Sequence, residues 1–71
     1  NSISPGFFMT ELNRERLPQA RKEAALARTP FARFGALEEL VGAAVYLASP
    51  AAGFVTGTDI AVDGGYLASG I

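Results

Sequence analysis

The stretch Pro-Gly-Phe-Phe-Met-Thr at residues 5–10 offers the groups best suited to ligand chemistry in this sequence. Pro5 cannot donate to a strand ladder and Gly6 tolerates backbone angles that other residues avoid, so we expect a strand to end at Ser4. In doubly wound sheets, ligands bind at the carboxyl ends of strands. The backbone groups that follow Gly6 can therefore pair with a carboxamide, and the Thr10 hydroxyl lies at a predicted helix start, where anions are favoured. The alternative is a plain strand-to-helix turn capped by Thr10.

Two other motifs are weaker candidates. Residues 53–59 (Gly-Phe-Val-Thr-Gly-Thr-Asp) lack the third glycine of a dinucleotide loop, and a strand follows instead of a helix, so a turn is favoured. Asp59 and Asp63 could suggest a metal, but two isolated carboxylates are too few for Ca²⁺. An Asp-Gly turn at Asp63 is the better interpretation, and we expect no metal site.

The remaining catalytic residue types do not form a nucleophile–base pair. There is no histidine, the sole lysine is Lys22, and Tyr46 and Tyr66 are either acid–base groups or core and interface residues. The arginines of the middle segment could bind a charged substrate, but a solvated, salt-bridged helix face is the favoured interpretation.

Size and composition limit the chain to one small globular unit. It has 71 residues, 49% hydrophobic and 18% charged, with a formal net charge of −1 and no cysteine. Basic and acidic residues are interleaved, which argues against nucleic acid, and no apolar run approaches the ~20 residues of a membrane span. The absence of cysteine is typical of a cytoplasmic protein. Without disulfides, so short a chain is expected to need a partner surface.

The order of predicted elements indicates an α/β fold. A strand end at residues 1–4 is followed by a short helix opening at Thr10 and a second helix from Pro18 to Arg28, then a long helix and a last strand over residues 60–62. The long helix carries apolar residues at helical spacing, and its opposite face is barely polar, so we expect it to be buried on most sides. The residues of the predicted apolar face are Leu37, Leu40, Val41, Ala44, Val45 and Ala48.

Three segments in this order resemble the C-terminal part of the short-chain dehydrogenase/reductase family. They are NSISPGFFMTEL, RTPFARFGALEELVGAAVYLAS and GFVTGTDIAVDGGYL, which together cover nearly the whole chain. Within the family the sequence looks most like the gluconate and other sugar or polyol dehydrogenases. The resemblance implies the C-terminal portion of a Rossmann-type doubly wound parallel sheet. It divides the chain into a strand end and Pro-Gly elbow (1–6), a lid (7–35), a helix (36–50), and a last strand with its tail (51–71).

The resemblance also implies site residues. The family's Pro-Gly-x-x-x-Thr element maps onto Pro5, Gly6 and Thr10. There the backbone around Phe7 and Phe8 and the Thr10 hydroxyl would approach the nicotinamide carboxamide and diphosphate of NAD or NADP.

The following segment matches the mobile substrate loop of the family. Met9 and Leu12 would line this substrate lid. The long helix and last strand match elements that build subunit interfaces, so the implied partners are the remainder of the same subunit, further copies in a homotetramer or dimer, and a small-molecule alcohol or ketone.

One departure from the family pattern concerns the chemistry itself. The catalytic Tyr-x-x-x-Lys is absent, because Pro50 stands four residues after Tyr46 and Gly70 four residues after Tyr66. The N-terminal glycine motif is absent too. The chain therefore either supplies the cofactor loop, lid and interface of an NAD(P)-dependent oxidoreductase or is a non-catalytic, self-associating fragment.

Overall fold

The computed structural model describes residues 1–69, without the side chains of residues 12 and 13. Two parallel strands flank three α-helices and a short 3₁₀ turn, Pro50–Ala52, and a second 3₁₀ turn, Leu67–Ser69, follows the last strand. In chain order, the strands and α-helices are β1 (Ser2–Pro5), α1 (Glu11–Arg16), α2 (Gln19–Ala27), α3 (Leu37–Ala48) and β2 (Asp59–Val62). No helix within residues 1–69 is long and apolar enough to cross a membrane.

The two strands form a parallel pair in the register Ser2 with Asp59 through Pro5 with Val62. A crossover of α1, α2 and α3 joins them, as parallel pairing requires, and α3 contacts both strands. This architecture is a segment of a Rossmann-type doubly wound sheet, as the sequence predicts.

Strand β1 is one residue longer than predicted, because Pro5 pairs within the sheet. The amides of Ser2 and Gly6 donate to Thr58 and Val62 in 2.9 and 3.0 Å hydrogen bonds. Since alternate residues of a strand direct their amides to the same neighbour, the nitrogen of Pro5 faces away from β2. The missing N–H of Pro5 therefore removes no hydrogen bond between β1 and β2.

Helix α3, Leu37–Ala48, lies within the predicted helical segment 36–50, but its buried face differs from the prediction. Leu40, Ala43 and Leu47 are half-buried. Most of the predicted face is exposed: Leu37 is 51%, Val41 56% and Val45 60% accessible, and Ala44 and Ala48 are exposed as well. The periodicity identifies an apolar helix correctly, but on a helix this apolar it does not decide which stripe contacts the sheet.

The core of the described chain is thin. Among residues 1–11 and 14–69, whose burial the structure describes, only Ala25, Thr29 and Ala52 are buried. The Thr29 hydroxyl donates to the Ala25 carbonyl at 2.9 Å, which satisfies this buried polar group at the end of α2. On β2, residues alternate between exposed and half-buried, so only one face of that strand is covered by the described residues.

Candidate functional site at the Pro-Gly elbow

The elbow lies at the carboxyl end of β1, directly against the turn that follows β2. The Gly6 amide donates to the Val62 carbonyl at 3.0 Å and closes the strand pair. A Cβ on Gly6 would lie 2.7 Å from both Cα and Cβ of Asp63. Gly6 is not among the glycines with positive φ, so the glycine is required by this close approach and not, as the sequence suggested, by unusual backbone angles.

Two backbone amides at the elbow have no main-chain partner. The Phe7 carbonyl accepts a 3.0 Å hydrogen bond from the Gly35 amide. Within the part of the chain that the structure describes, the Phe7 and Phe8 amides donate to no backbone oxygen. These amides follow the carboxyl end of a parallel strand, where ligands bind in doubly wound sheets, and they can hydrogen-bond a carboxamide oxygen.

The other predicted site residues, Met9, Thr10 and Leu12, lie directly before α1 or in its first turn. The Thr10 carbonyl accepts the Arg14 amide at 2.9 Å, so Thr10 directly precedes α1 as expected. Thr10 and Met9 are half-buried. The predicted lid residue Leu12 belongs to α1, but its side chain lies outside the described residues.

A cleft of about 430 Å³ separates the elbow from α2. Its walls are mostly apolar, with two arginines at the edge; it is lined by Gly6, Phe7, Phe8, Leu17, Arg21, Ala24, Ala25, Arg28 and Phe34. The Lys22 ammonium donates to the Arg14 carbonyl at 2.9 Å and ties α2 to the end of α1. Among the described residues, α2 and Leu17 form the wall of the cleft opposite the elbow; the role of this segment as a lid remains a prediction.

An aromatic contact joins the elbow to the chain after β2. The Phe7 and Tyr66 rings meet edge to face with centroids 5.6 Å apart, and the Arg28 guanidinium carbon lies 6.0 Å from the Tyr66 centroid. Tyr66 therefore acts as a packing residue, one of the two roles left open for it by the sequence. Of the arginines of the middle segment, Arg21 and Arg28 are exposed and make no ion pair among the described side chains, whereas Arg33 forms a salt bridge with Glu39.

Arg33 and Glu39 form a charged clasp at the start of α3, which the sequence analysis did not predict. Arg33 donates to both oxygens of Glu39 at 2.8 and 2.9 Å, and one of these oxygens accepts the Ala36 amide at 2.8 Å. The hydrogen bonds from Arg33 and then from Ala36 lower the pKa of Glu39 to about 2. Glu39 at the third helical position was a usable signal, because acidic residues there reach back to the helix start.

Asp59 and Asp63, the two possible metal ligands in the sequence, each accept hydrogen bonds from a different set of groups. Asp59 accepts the hydroxyls of Ser2 and Ser4 at 2.6 and 2.9 Å, which lowers the pKa of its carboxyl. Asp63 accepts the amides of Gly65 and Leu67 at 2.9 and 3.0 Å, as an Asp-Gly turn requires. The carboxylates belong to opposite ends of β2, about 13 Å apart at ~3.3 Å per residue, so they do not share a site.

With this geometry established, comparison with known proteins gives the family. The model of the family described as Enoyl-(Acyl carrier protein) reductase matches residues 1–67. The chain belongs to the short-chain dehydrogenase/reductase family.

Two relatives within the short-chain dehydrogenase/reductase family are named for a sugar and a sugar acid, and others are named 3-oxoacyl-[acyl-carrier-protein] reductase. The chain is 48% identical over 66 residues to L-rhamnose 1-dehydrogenase (NAD(P)(+)) of Sphingomonas sp. strain SKA58, covering 92% of this chain and 26% of that protein. It is 47% identical over 68 residues to 5-keto-D-gluconate 5-reductase of Escherichia coli K12, covering 94% and 27%. The chain thus spans about a quarter of the length of these relatives.

A solved structure has the same fold over this segment. The gluconate 5-dehydrogenase of Burkholderia cenocepacia J2315, in complex with NADP and tartrate, matches with a TM-score of 0.81 and 45% identity, covering 93% of this chain and 26% of that one. The predicted resemblance to this family is therefore confirmed. The cofactor roles of Pro5, Gly6, Phe7, Phe8 and Thr10 remain predictions.

Proposed function

We propose that this chain supplies the nicotinamide-side cofactor loop and the substrate lid of an NAD(P)-dependent oxidoreductase. The single observation that carries the proposal is the pair of Phe7 and Phe8 amides, which donate to no backbone oxygen of the described residues and follow β1 beside the cleft under α2. Two neighbouring N–H donors beside a mostly apolar cleft can bind a carboxamide oxygen, and the cleft can accommodate the flat ring that carries the carboxamide. NADP in the B. cenocepacia structure supports the same cofactor class.

The residues present fit the carboxamide end of NAD or NADP and leave the chemistry to the rest of the enzyme. When bound, the nicotinamide would exchange a hydride with an alcohol or ketone carbon. The elbow would orient the ring, and α1 and α2 would exclude water from it. No Tyr-x-x-x-Lys stands in this sequence, so proton transfer belongs to residues outside it.

The names of several relatives support a sugar, polyol or sugar-acid substrate. L-Rhamnose 1-dehydrogenase and 5-keto-D-gluconate 5-reductase are named for such compounds. We therefore propose a small alcohol or ketone of this class, and the absence of cysteine supports the cytoplasm as the compartment.

Binding and turnover in the full-length protein that contains this segment test the proposal. NADH and NADPH are titrated by their fluorescence, and oxidation of rhamnose, gluconate and polyols is followed at the absorbance of the reduced cofactor. We expect saturable binding of at least one cofactor and turnover of at least one substrate. Absence of binding of both cofactors by folded protein would contradict the proposal.

Subunit association is a further part of the proposed function. Leu37, Val41 and Val45 expose an apolar stripe on α3, and β2 pairs only with β1 among the described strands. We propose that this surface is buried against a second copy in a homotetramer or dimer, in addition to the remainder of the same subunit.

The same exposed stripe favours one alternative, a non-catalytic chain that self-associates. Light scattering with cofactor titration separates the two. A discrete oligomer without affinity for either cofactor would favour the alternative.

A further inference from the structure

Gly35 fastens the elbow to the start of α3. Its amide donates to the Phe7 carbonyl at 3.0 Å, and Phe8 and Gly35 form an isolated parallel bridge. These residues are far apart in the sequence, so the contact is tertiary. It is the point where the chain before α3 holds the proposed cofactor loop.

The hydrogen bond at Gly35 also sets the direction of the Phe8 amide. The Phe7 carbonyl and the Phe8 N–H belong to one peptide unit, which is planar and trans. The two groups therefore point in opposite directions. With the carbonyl held by Gly35, the Phe8 N–H is turned away from Gly35 and kept from rotating.

Steric packing against the Phe8 ring disfavours any residue larger than glycine at this position. A Cβ on Gly35 would lie 2.5, 2.8 and 2.9 Å from Cε2, Cδ2 and Cζ of the Phe8 ring. Gly35 does not have a positive φ, so the requirement comes from the ring and not from the backbone angles. Any side chain here must displace the Phe8 ring or lengthen the hydrogen bond to Phe7.

The chain around Gly35 is itself held on both sides. Arg33 precedes it and Ala36 follows it, and both bind the Glu39 carboxylate. A two-pronged arginine–carboxylate contact fixes direction as well as distance. The contacts of Arg33 and Ala36 with Glu39 therefore fix the position of Gly35 between the elbow and the start of α3.

We propose that Gly35 is a positioning residue for the nicotinamide side of the cofactor. It acts through the Phe7 carbonyl and the Phe8 ring, and it aims the Phe8 amide at the carboxamide. This inference rests on the proposed function of the elbow. It assigns to Gly35 an effect on one half of the cofactor only.

The test compares ligands that contain the nicotinamide with ligands that lack it. In the full-length protein, Gly35→Ala should raise the Kd and KM for NADH or NADPH about tenfold, the size of one lost hydrogen bond. The Kd for ADP-ribose or its 2′-phosphate, which lack nicotinamide, should stay within about twofold, since they make no such bond. A purely structural defect would weaken both kinds of ligand.

A second substitution and a matched control complete the experiment. Phe8→Ala removes all three ring atoms that an alanine at position 35 would strike, so the double variant should recover nicotinamide-dependent affinity relative to Gly35→Ala. If Gly35→Ala alone does not fold, the double variant is compared with wild type instead, and its ratio of NADH to ADP-ribose affinity should return to the wild-type ratio. Gly42→Ala is the control glycine substitution, because a Cβ there meets nothing within 4 Å, and it should change neither Kd.

The outcomes separate this inference from the proposed function. If the wild-type protein binds neither NADH nor NADPH, the proposed function fails and the inference with it. If the wild-type protein binds and Gly35→Ala either has no effect or weakens ADP-ribose equally, only the role of Gly35 is overturned. A folded double variant that stays as weak as Gly35→Ala also overturns it.

Discussion

Substitution of Gly6 by alanine should destabilise the protein by wedging apart the ends of the two strands. The added Cβ would lie 2.7 Å from the Asp63 Cα and Cβ, about 1 Å inside the ~3.5–4.0 Å optimum for carbon atoms. Asp63 cannot easily retreat, because its carboxylate holds the amides of Gly65 and Leu67. The Gly6 hydrogen bond to Val62 must lengthen instead.

The magnitude follows from the cost of overpacking a fixed contact. Such insertions cost about 1–3 kcal/mol. In a domain of about 150–250 residues, each kcal/mol lowers the Tm by roughly 2–4 °C, so Gly6→Ala should lower it by about 2–12 °C.

Thermal unfolding of the full-length protein, followed by circular dichroism, measures this shift. Gly42→Ala is the matched control: its Cβ meets nothing within 4 Å, and replacing a helix glycine should stabilise by about 0.5–1 kcal/mol. A Gly6→Ala variant that melts at or above the wild-type Tm would refute the steric account of the elbow.

Three further predictions concern the clasp, the aromatic contact and the exposed stripe. Because the pKa of Glu39 is lowered to about 2 from an ordinary 4.5, its contribution to stability is present above pH 4.5 and is lost as the pH falls toward 2. Wild type and Glu39→Gln should therefore differ in their free energy of unfolding in urea at pH 7, and the two values should converge near pH 2. A difference that does not change with pH would contradict the stabilising contact between Arg33 and Glu39. Tyr66→Leu removes the edge-to-face contact with Phe7 and should cost about 0.5–1.5 kcal/mol in urea unfolding; an unchanged midpoint would count against that contact. Val45→Asp places a charge on the 60% exposed site of α3, so native mass spectrometry should detect smaller assemblies, and an unchanged mass would exclude this surface as the interface.

The parts of the fold that the sequence predicts well depend on residues close together in the chain. The bounds of α3, Leu37–Ala48, follow from apolar periodicity and the Ser49-Pro50 stop. The turn after β2 follows from Asp63 and the two glycines behind it. Parallel pairing of the strands follows from the long helical crossover between them.

The features that the sequence did not predict depend on tertiary contacts. Which stripe of α3 packs on the strands is set by the crossover geometry, because most of the helix surface is apolar. The reason for glycine at positions 6 and 35 is the approach of Asp63 and of the Phe8 ring, which no local pattern reveals. Pro5 pairs in the sheet because its nitrogen faces away from β2, and this depends on the strand register.

The orientation of the bound cofactor tests the central claim most directly. A crystal structure of the full-length protein with NAD or NADP should place the carboxamide oxygen about 2.7–3.2 Å from the Phe8 amide nitrogen, with the Phe7 carbonyl still bound to Gly35. A nicotinamide ring bound away from the elbow, with the Phe7 and Phe8 amides facing only water, would contradict the account.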